Sequence, residues 1–443
     1  MHSAGGRAAD ADGERAETYL RLVAEAALRS AADGRADRVR NAADVLVDAG
    51  VLADTVAAQI IADLNVALRL RGRRSAQTLA GRLLRTAPLQ PGQRIPLLPD
   101  KAPEPSAGLA PPWRVLPAGP GTPASRLMAL ILTADRAVAP ATLFFPLSDG
   151  PPEAGTPPFT QLTGTDDTGM EYRLGFTNGT WAGSAWTGTV IFLPSPPAAV
   201  RWLAIMSQNG PLLRVEITAA PPAAATPIVM LGPVPETLGE RLLIRRAEAM
   251  LAANALGYPL EGGQPRQGEA VAALEGAGVL APLSPVPARL SALGQLLGLA
   301  MQGPADEVPG RWKAVMTHYG RRKRLNPVSG TATIAVDLPE IDGTRFVIAG
   351  LRSGSAGTFL HVLVDRLPRP VTRSRPDIGF SWWFRDDADC WHLGAVEDVG
   401  AVGGSEAMLR LVLLPPLRHE ASALTAEIRG ATQQLTANLQ VRW

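Results

Sequence analysis

The chain has 443 residues, 46% hydrophobic and 19% charged, with a formal net charge of +2. That length exceeds what one hydrophobic core sustains, so several domains are expected. The composition excludes a disordered chain, and near-neutrality excludes a strong general pull toward nucleic acid or membrane.

Residues 1–13 read as a disordered start, and the stretch through Glu17 carries acids and no apolar core, so no signal peptide is expected. From 14 to 86 the pattern is helical. Tyr19, Leu22, Val23, Ala26 and Ala27 fall on one face, and Val39, Ala42, Ala43, Leu46 and Val47 on another. Gly50 suits the left-handed residue that ends a helix. Asp54 or Thr55 then caps a third helix through Val56, Ile60, Leu64 and Leu68.

Residues 87–111 form a proline-rich linker, part of a stretch with eleven prolines between Pro88 and Pro123. From 112 to 222 the period changes to two. Tyr172, Leu174 and Phe176 alternate, as do Val200, Trp202 and Ala204. Short runs such as "SRLMALILTA", "ATLFFPL" and "AWTGTVIFLP", divided by Gly, Pro, Asn and Asp, predict an antiparallel β-sandwich.

The second half repeats landmarks of the first in the same order. Glu14-Arg15 recurs as Glu240-Arg241, Gly50 as Gly278, Asp166-Asp167 as Asp386-Asp387, and Leu174-Gly175 as Leu393-Gly394. Trp113 pairs with Trp312, which places an added segment, "HYGRRKRLNP", in the second copy. The expected fold is therefore α+β and multidomain: a tandem duplication of a short helical segment followed by an immunoglobulin-like antiparallel β-sandwich. The second helical segment spans 235–304, with a helical hairpin about Gly278. The second sandwich spans 310–443, with a basic insertion near 318–330. Leu435, Ala437, Leu439 and Val441 alternate in its last strand.

Few motifs carry chemistry. Gly276-Ala-Gly278-Val-Leu-Ala281 imitates a dinucleotide loop, but that motif needs a strand before it and a helix after it. Here a helix precedes and prolines follow, so a helix C-terminus is expected. "AGVLADTVAAQI" resembles a helix-turn-helix in outline but lacks basic side chains for a groove. Asp386, Asp387 and Asp389 are weak candidates for a divalent cation. "DDTG" between alternating strands reads first as a β-turn held by Asp.

Cys390 is the single cysteine, so no internal disulfide is possible. With His392 it shares one side of a strand, without an orienting third group. The five histidines show no metal-ligand spacing. No catalytic residue, cofactor or metal is expected.

Arg321, Arg322, Lys323 and Arg324 are the candidate anion-binding run. Trp382 and Trp383 point to opposite sides of one strand, so one of them is a candidate contact residue. No apolar run reaches the roughly 18 residues of a membrane span, and no membrane partner is expected. Scarce lysine and abundant Ala, Gly, Pro and Arg suggest a GC-rich bacterial genome. The expected function is a non-catalytic interaction or scaffold protein of the bacterial cytoplasm, whose partner is another protein. The alternatives are a nucleic-acid or anionic-ligand binder through the basic run, and an enzyme whose site is assembled between units.

Overall fold

The computed structural model describes residues 114–117, 125–133, 135–145, 162–182, 184–197, 199–207, 210–216, 228–236, 238–256, 270, 273–274, 277–279, 310–321, 329–366, 379–403, 406–430 and 432–443. The chain divides into two compact units, Met1–Ala102 with Val234–Arg321, and Pro103–Pro233 with Arg322–Trp443.

In the first unit, helix α1 (Leu238–Leu256) carries Glu240 in its first turn, where the helix dipole favours an acid. It buries Leu243, Ile244, Ala247, Leu251 and Ala252, one face at helical spacing. Helix α2 (Gly310–Arg321) buries Trp312, Val315 and Met316 and touches α1. Gly278 has φ +69°, and the Val279 N–H donates to the Leu274 carbonyl at 2.9 Å. That is the helix C-terminus its sequence predicts. Gly50 and the rest of 14–86 lie outside the described residues. Among the described residues, no helix is long and apolar enough to cross a membrane.

The second unit is two antiparallel sheets. The first holds β1 (Arg114–Pro117), β2 (Ser125–Leu127), β3 (Ala129–Leu132), β4 (Ala137–Phe144), β5 (Thr163–Asp166), β6 (Glu171–Ala182), β7 (Ala185–Leu193), β8 (Trp202–Ser207) and β9 (Gly210–Glu216). Its order is β1-β3-β4-β7-β6-β5-β8-β9, with β2 on β4. The second holds β10 (Val229–Pro233), β11 (Gly330–Ile341), β12 (Thr344–Gly354), β13 (Gly357–Val364), β14 (Ser381–Asp386), β15 (Trp391–Gly403), β16 (Glu406–Leu414), β17 (Ala423–Arg429) and β18 (Gln433–Gln440). Its order is β10-β18-β17-β14-β15-β16-β13-β12-β11.

The expected α+β pair of helix-plus-sandwich units is corrected here. Most described residues are in strands, and the architecture is two curled, barrel-like sheets, not duplicated helical segments each bearing an immunoglobulin-like sandwich. The expected helical hairpin does not appear among the described residues either. Alternation in sequence predicts strands but not whether they face each other as two sheets or follow one another in one ladder. Here the ladder is continuous and bends round on itself. In the second sheet Thr333 of β11 exchanges both backbone hydrogen bonds with Arg442 just beyond β18, at 2.8 and 2.9 Å. In the first, β2 comes against β9.

What repeats among the described residues is the sheet. Apart from β10, and with β2 and β3 counted as one interrupted strand, the two orders coincide strand for strand. Bulges recur too: β6 shifts register between Thr177 and Thr180, and β15 shifts between Val396 and Asp398. Trp312 departs from the sequence pairing. It lies in α2, not at the start of the second sheet.

Each barrel has its own core. Leu130, Trp186, Val190, Phe192 and Leu203 fill the first. Phe346, Trp382, Phe384, Leu411 and the alternating Leu435, Ala437, Leu439 and Val441 fill the second. A further cluster joins the outer faces. Ala129, Ile131, Val138 and Ile191 meet Ala335, Val347, Ala349, Leu363, Val402 and Met408. Strands buried on both faces read as continuous apolar runs, which is why "LMALIL" and "VIFL" lose the alternation of their neighbours.

Candidate functional site

Beside that apolar cluster, the seam between the barrels is polar. From the first barrel come Thr142 and Thr187, whose hydroxyls lie 3.1 Å apart, Thr189, and Asn178 in the β6 bulge. Asn178 has φ +54°, a conformation that Asn tolerates better than most residues. Its Nδ2 donates to the Met408 carbonyl, and its own carbonyl accepts from Arg410 Nη1 at 2.8 Å.

From the second barrel come Arg352, His361 and Arg410 on the outer faces of β12, β13 and β16. Register sets His361 directly opposite Arg410 and opposite Gly350 on its other side. Arg410 is well paired, to Glu397 at 2.8 Å and Asp398 at 3.7 Å, and its guanidinium lies 5.7 Å from the Phe359 ring centroid. Arg352 donates to Thr187 Oγ1 and has no carboxylate partner among the described residues. Burial, and then repulsion from Arg410, pull its pKa down.

His361 is fully buried, and neither ring nitrogen has a hydrogen-bond partner among the described residues. Burial, then Arg410 and Arg352, lower its pKa to about 3, so the ring is neutral at pH 7. Thr189 Oγ1 and Asn178 Oδ1 are likewise buried without a partner among the described residues. Four orphaned polar atoms on one seam mark it as unusual, since buried polar groups are almost always hydrogen-bonded.

The two Asp-Asp turns are also built alike. Asp166 Oδ1 accepts the Thr168 and Met170 N–H groups at 2.8 and 3.0 Å, and Oδ2 accepts the Tyr172 hydroxyl at 2.7 Å. Asp386 Oδ1 accepts the Ala388 and Cys390 N–H groups at 3.0 and 2.8 Å, and Oδ2 faces His392 Nε2 at 3.3 Å. Burial alone would raise both carboxyls. The hydrogen bonds, from Tyr172 and Thr168 in one and from His392 and Cys390 in the other, outweigh it and hold both low.

The second acid of each pair ties down a loop. Asp167 accepts from Arg201 N and Nε at 2.9 and 2.8 Å. Asp387 accepts from Ser422 N and Oγ, each at 2.7 Å, and meets His419 Nε2 at 2.7 Å.

Asp386, Asp387 and His419 bring ligand atoms within 4.8 Å of one another. Asp389 stands apart, exposed and paired with Arg385 at 3.2 Å. Each of those atoms already serves the turn, and the first barrel builds the same turn with Tyr172 and Arg201 in place of the histidines. The arrangement is that of a structural turn.

Cys390 is exposed, and its thiol lies 3.8 Å from the Ala388 carbonyl. Partial burial, then Asp386 and Asp389, push the thiol up against a smaller lowering by Arg418, the reverse of an activated nucleophile. His392 turns inward to the Pro415 carbonyl at 2.6 Å. Trp382 and Trp383 are each 1% exposed, so neither offers a contact surface. The strand's outer face is covered here, which alternation alone does not reveal. Arg321 ends α2, and Arg322, Lys323 and Arg324 lie outside the described residues.

An exposed apolar edge completes the survey. β10 pairs with β18 through Val229 to Pro233, and its other edge meets no described strand. Ile228, Met230 and Leu231 are 72%, 64% and 53% exposed.

Sequence reasoning missed Arg352, His361, Arg410 and this edge. "PIVMLGP" carried the only local signal, an apolar run without a charge. The seam residues are scattered over three strands and become neighbours only through pairing. No protein-family model, curated protein or solved structure matches the chain.

Proposed function

We propose that this is a non-catalytic interaction protein of the bacterial cytoplasm, which presents the free edge of β10 to an extended segment of a partner protein. The observation that carries the reading is the exposure of Ile228, Met230 and Leu231 on a strand with one edge unpaired among the described residues. Open edges are usually guarded by Lys, Pro or a bulge because they recruit other strands. Residues 228–232 hold no charge, and the prolines of the segment, Pro227 and Pro233, stand only at its two ends. An added strand would gain main-chain hydrogen bonds, and alternate side chains would gain apolar cover on both faces.

The test is quantitative co-purification from the source cells of the full chain and of an Ile228→Ser, Met230→Ser, Leu231→Ser variant. The reading expects a defined set of proteins to be lost in the variant while its melting curve holds. Recovery of the same proteins by both forms would overturn it.

A further inference from the structure

We propose that Arg352, His361 and Thr189 form a binding site for a tetrahedral oxyanion of the phosphate or sulfate class at the seam between the barrels. The site is independent of the β10 edge.

The argument begins with unmet hydrogen-bonding capacity. Arg352 offers five N–H donors, and the structure gives its side chain one hydrogen bond among the described residues, to Thr187. His361 adds a ring N–H, and Thr189 adds a hydroxyl, both fully buried and both without partners among the described residues.

Register brings these groups together. Along β7 the outer face reads Thr187, Thr189, Ile191; along β13 it reads Phe359, His361, Leu363. Arg352 bonds Thr187 at one end, and Ile191 and Leu363 share one apolar cluster at the other. His361 and Thr189 are the central members of the two rows. Arg352 and Phe359 are partly exposed, whereas His361 and Thr189 are fully buried, so Arg352 is the member of the site that solvent reaches.

Charge and shape select the ligand. Arg410 is answered by Glu397 and Asp398, whereas Arg352 is left unneutralised among the described residues. A bound anion would supply the missing charge. A planar carboxylate fills the guanidinium fork with both its oxygens. A tetrahedral oxyanion fills the same fork and keeps oxygens for the imidazole and the Thr189 hydroxyl.

Binding is then linked to a proton. The charged groups of the second barrel around His361 are Arg352 and Arg410, the latter with Glu397 and Asp398. The first barrel adds the uncharged Thr187, Thr189 and Asn178. An anion beside the ring favours imidazolium, so affinity should rise as the pH falls.

Sulfate is the probe, because its charge does not change between pH 8 and 6. Calorimetry on the full chain at low ionic strength should show one saturable site that tightens by up to about twofold over that range, the limit set by a rise of about three units in the imidazole pKa beside an anion. Arg352→Gln, at a partly exposed position with one side-chain hydrogen bond, should weaken it at least tenfold. His361→Gln should remove the pH dependence. Arg322→Ser, Lys323→Ser, Arg324→Ser should leave it unchanged. Should His361→Gln not fold, sulfate must shift the His361 ring resonances of the parent protein. Absence of binding, binding indifferent to Arg352→Gln, binding lost with the basic run, or an unmoved His361 resonance would each overturn the proposal.

Discussion

Asp166 and Asp386 occupy the same point of the same turn, one in each barrel. Each takes the N–H groups two and four residues ahead on Oδ1 and a side chain six residues ahead on Oδ2. The turn's left-handed residue is Gly169 in the first barrel, at φ +79°, and Asp389 in the second, at φ +62°. The same backbone therefore tolerates Tyr172 or His392 as the third partner.

Asp386→Ala would leave two N–H groups and His392 without their acceptor, and should cost about 3 kcal/mol. Urea unfolding measures it. A loss under about 1 kcal/mol would mean that water replaces the carboxylate and that the turn does not hold the barrel.

Asp389→Gly should stabilise by about 0.5 kcal/mol, because glycine adopts positive φ without steric cost. The exposed Arg385 pair that it removes contributes little. Gly169→Ala should do the opposite, losing about 1 kcal/mol. Paired thermal melts decide, and equal shifts of one sign would contradict the shared turn.

Both turn carboxyls are held below the ordinary value of about 3.9. A depressed acid stabilises the fold fully above its unfolded pKa and loses that contribution as the pH falls. Asp166 and Asp386 should thus add to acid unfolding below about pH 4. Asp386→Asn should give a flatter stability curve there than the parent.

His361 acts at higher pH. Its folded pKa of about 3 lies under an unfolded value of about 6.5, so its neutral burial costs nothing above 6.5. Stability should fall by up to about 1.4 kcal/mol per pH unit as the pH drops from 6.5 toward 3. In chloride buffers without sulfate or phosphate, His361→Leu should remove that slope between pH 6.5 and 5. A variant with the parent's slope would place the acid sensitivity elsewhere.

Gly350 is packed from both sides, by β11 of its own barrel and by Met128 of the other. A Cβ there would stand 2.4 Å from the Ala332 carbonyl oxygen and 2.9 Å from Met128 Cβ. Gly350→Ala should cost about 1–3 kcal/mol through overpacking, read as a lower melting temperature. An unchanged melt would contradict the close packing of Gly350 against β11 and Met128.

Local signals were legible in the sequence. Gly278 at a helix end, the Asp-Asp turns, and the alternation of Leu435 to Val441 each follow from residues within one turn or strand. Long-range relations were not. Alternation was compatible with a sandwich or a barrel, and the closing contact joins Thr333, in the end strand β11, to Arg442 just beyond β18. Trp202 was assigned to the alternating apolar face. Leu203 and Ile205 point inward instead, and Trp202 lies under Arg214, 4.4 Å from centroid to guanidinium. Trp383 was expected to be exposed if Trp382 was not, and something covers both faces of β14. His361 and Arg352 read as ordinary polar residues until pairing sets them on the seam.

The central claim, that the β10 edge takes a partner strand, is tested most directly by contact in the cell. A photocrosslinking amino acid replacing Met230 should form discrete adducts with another protein in the source organism. The same group at Arg173, exposed on β6 of the first sheet, should not. Adducts from Met230 that Leu231→Ser weakens are the predicted result. No adduct at Met230, or the same adducts from both positions, would contradict the account.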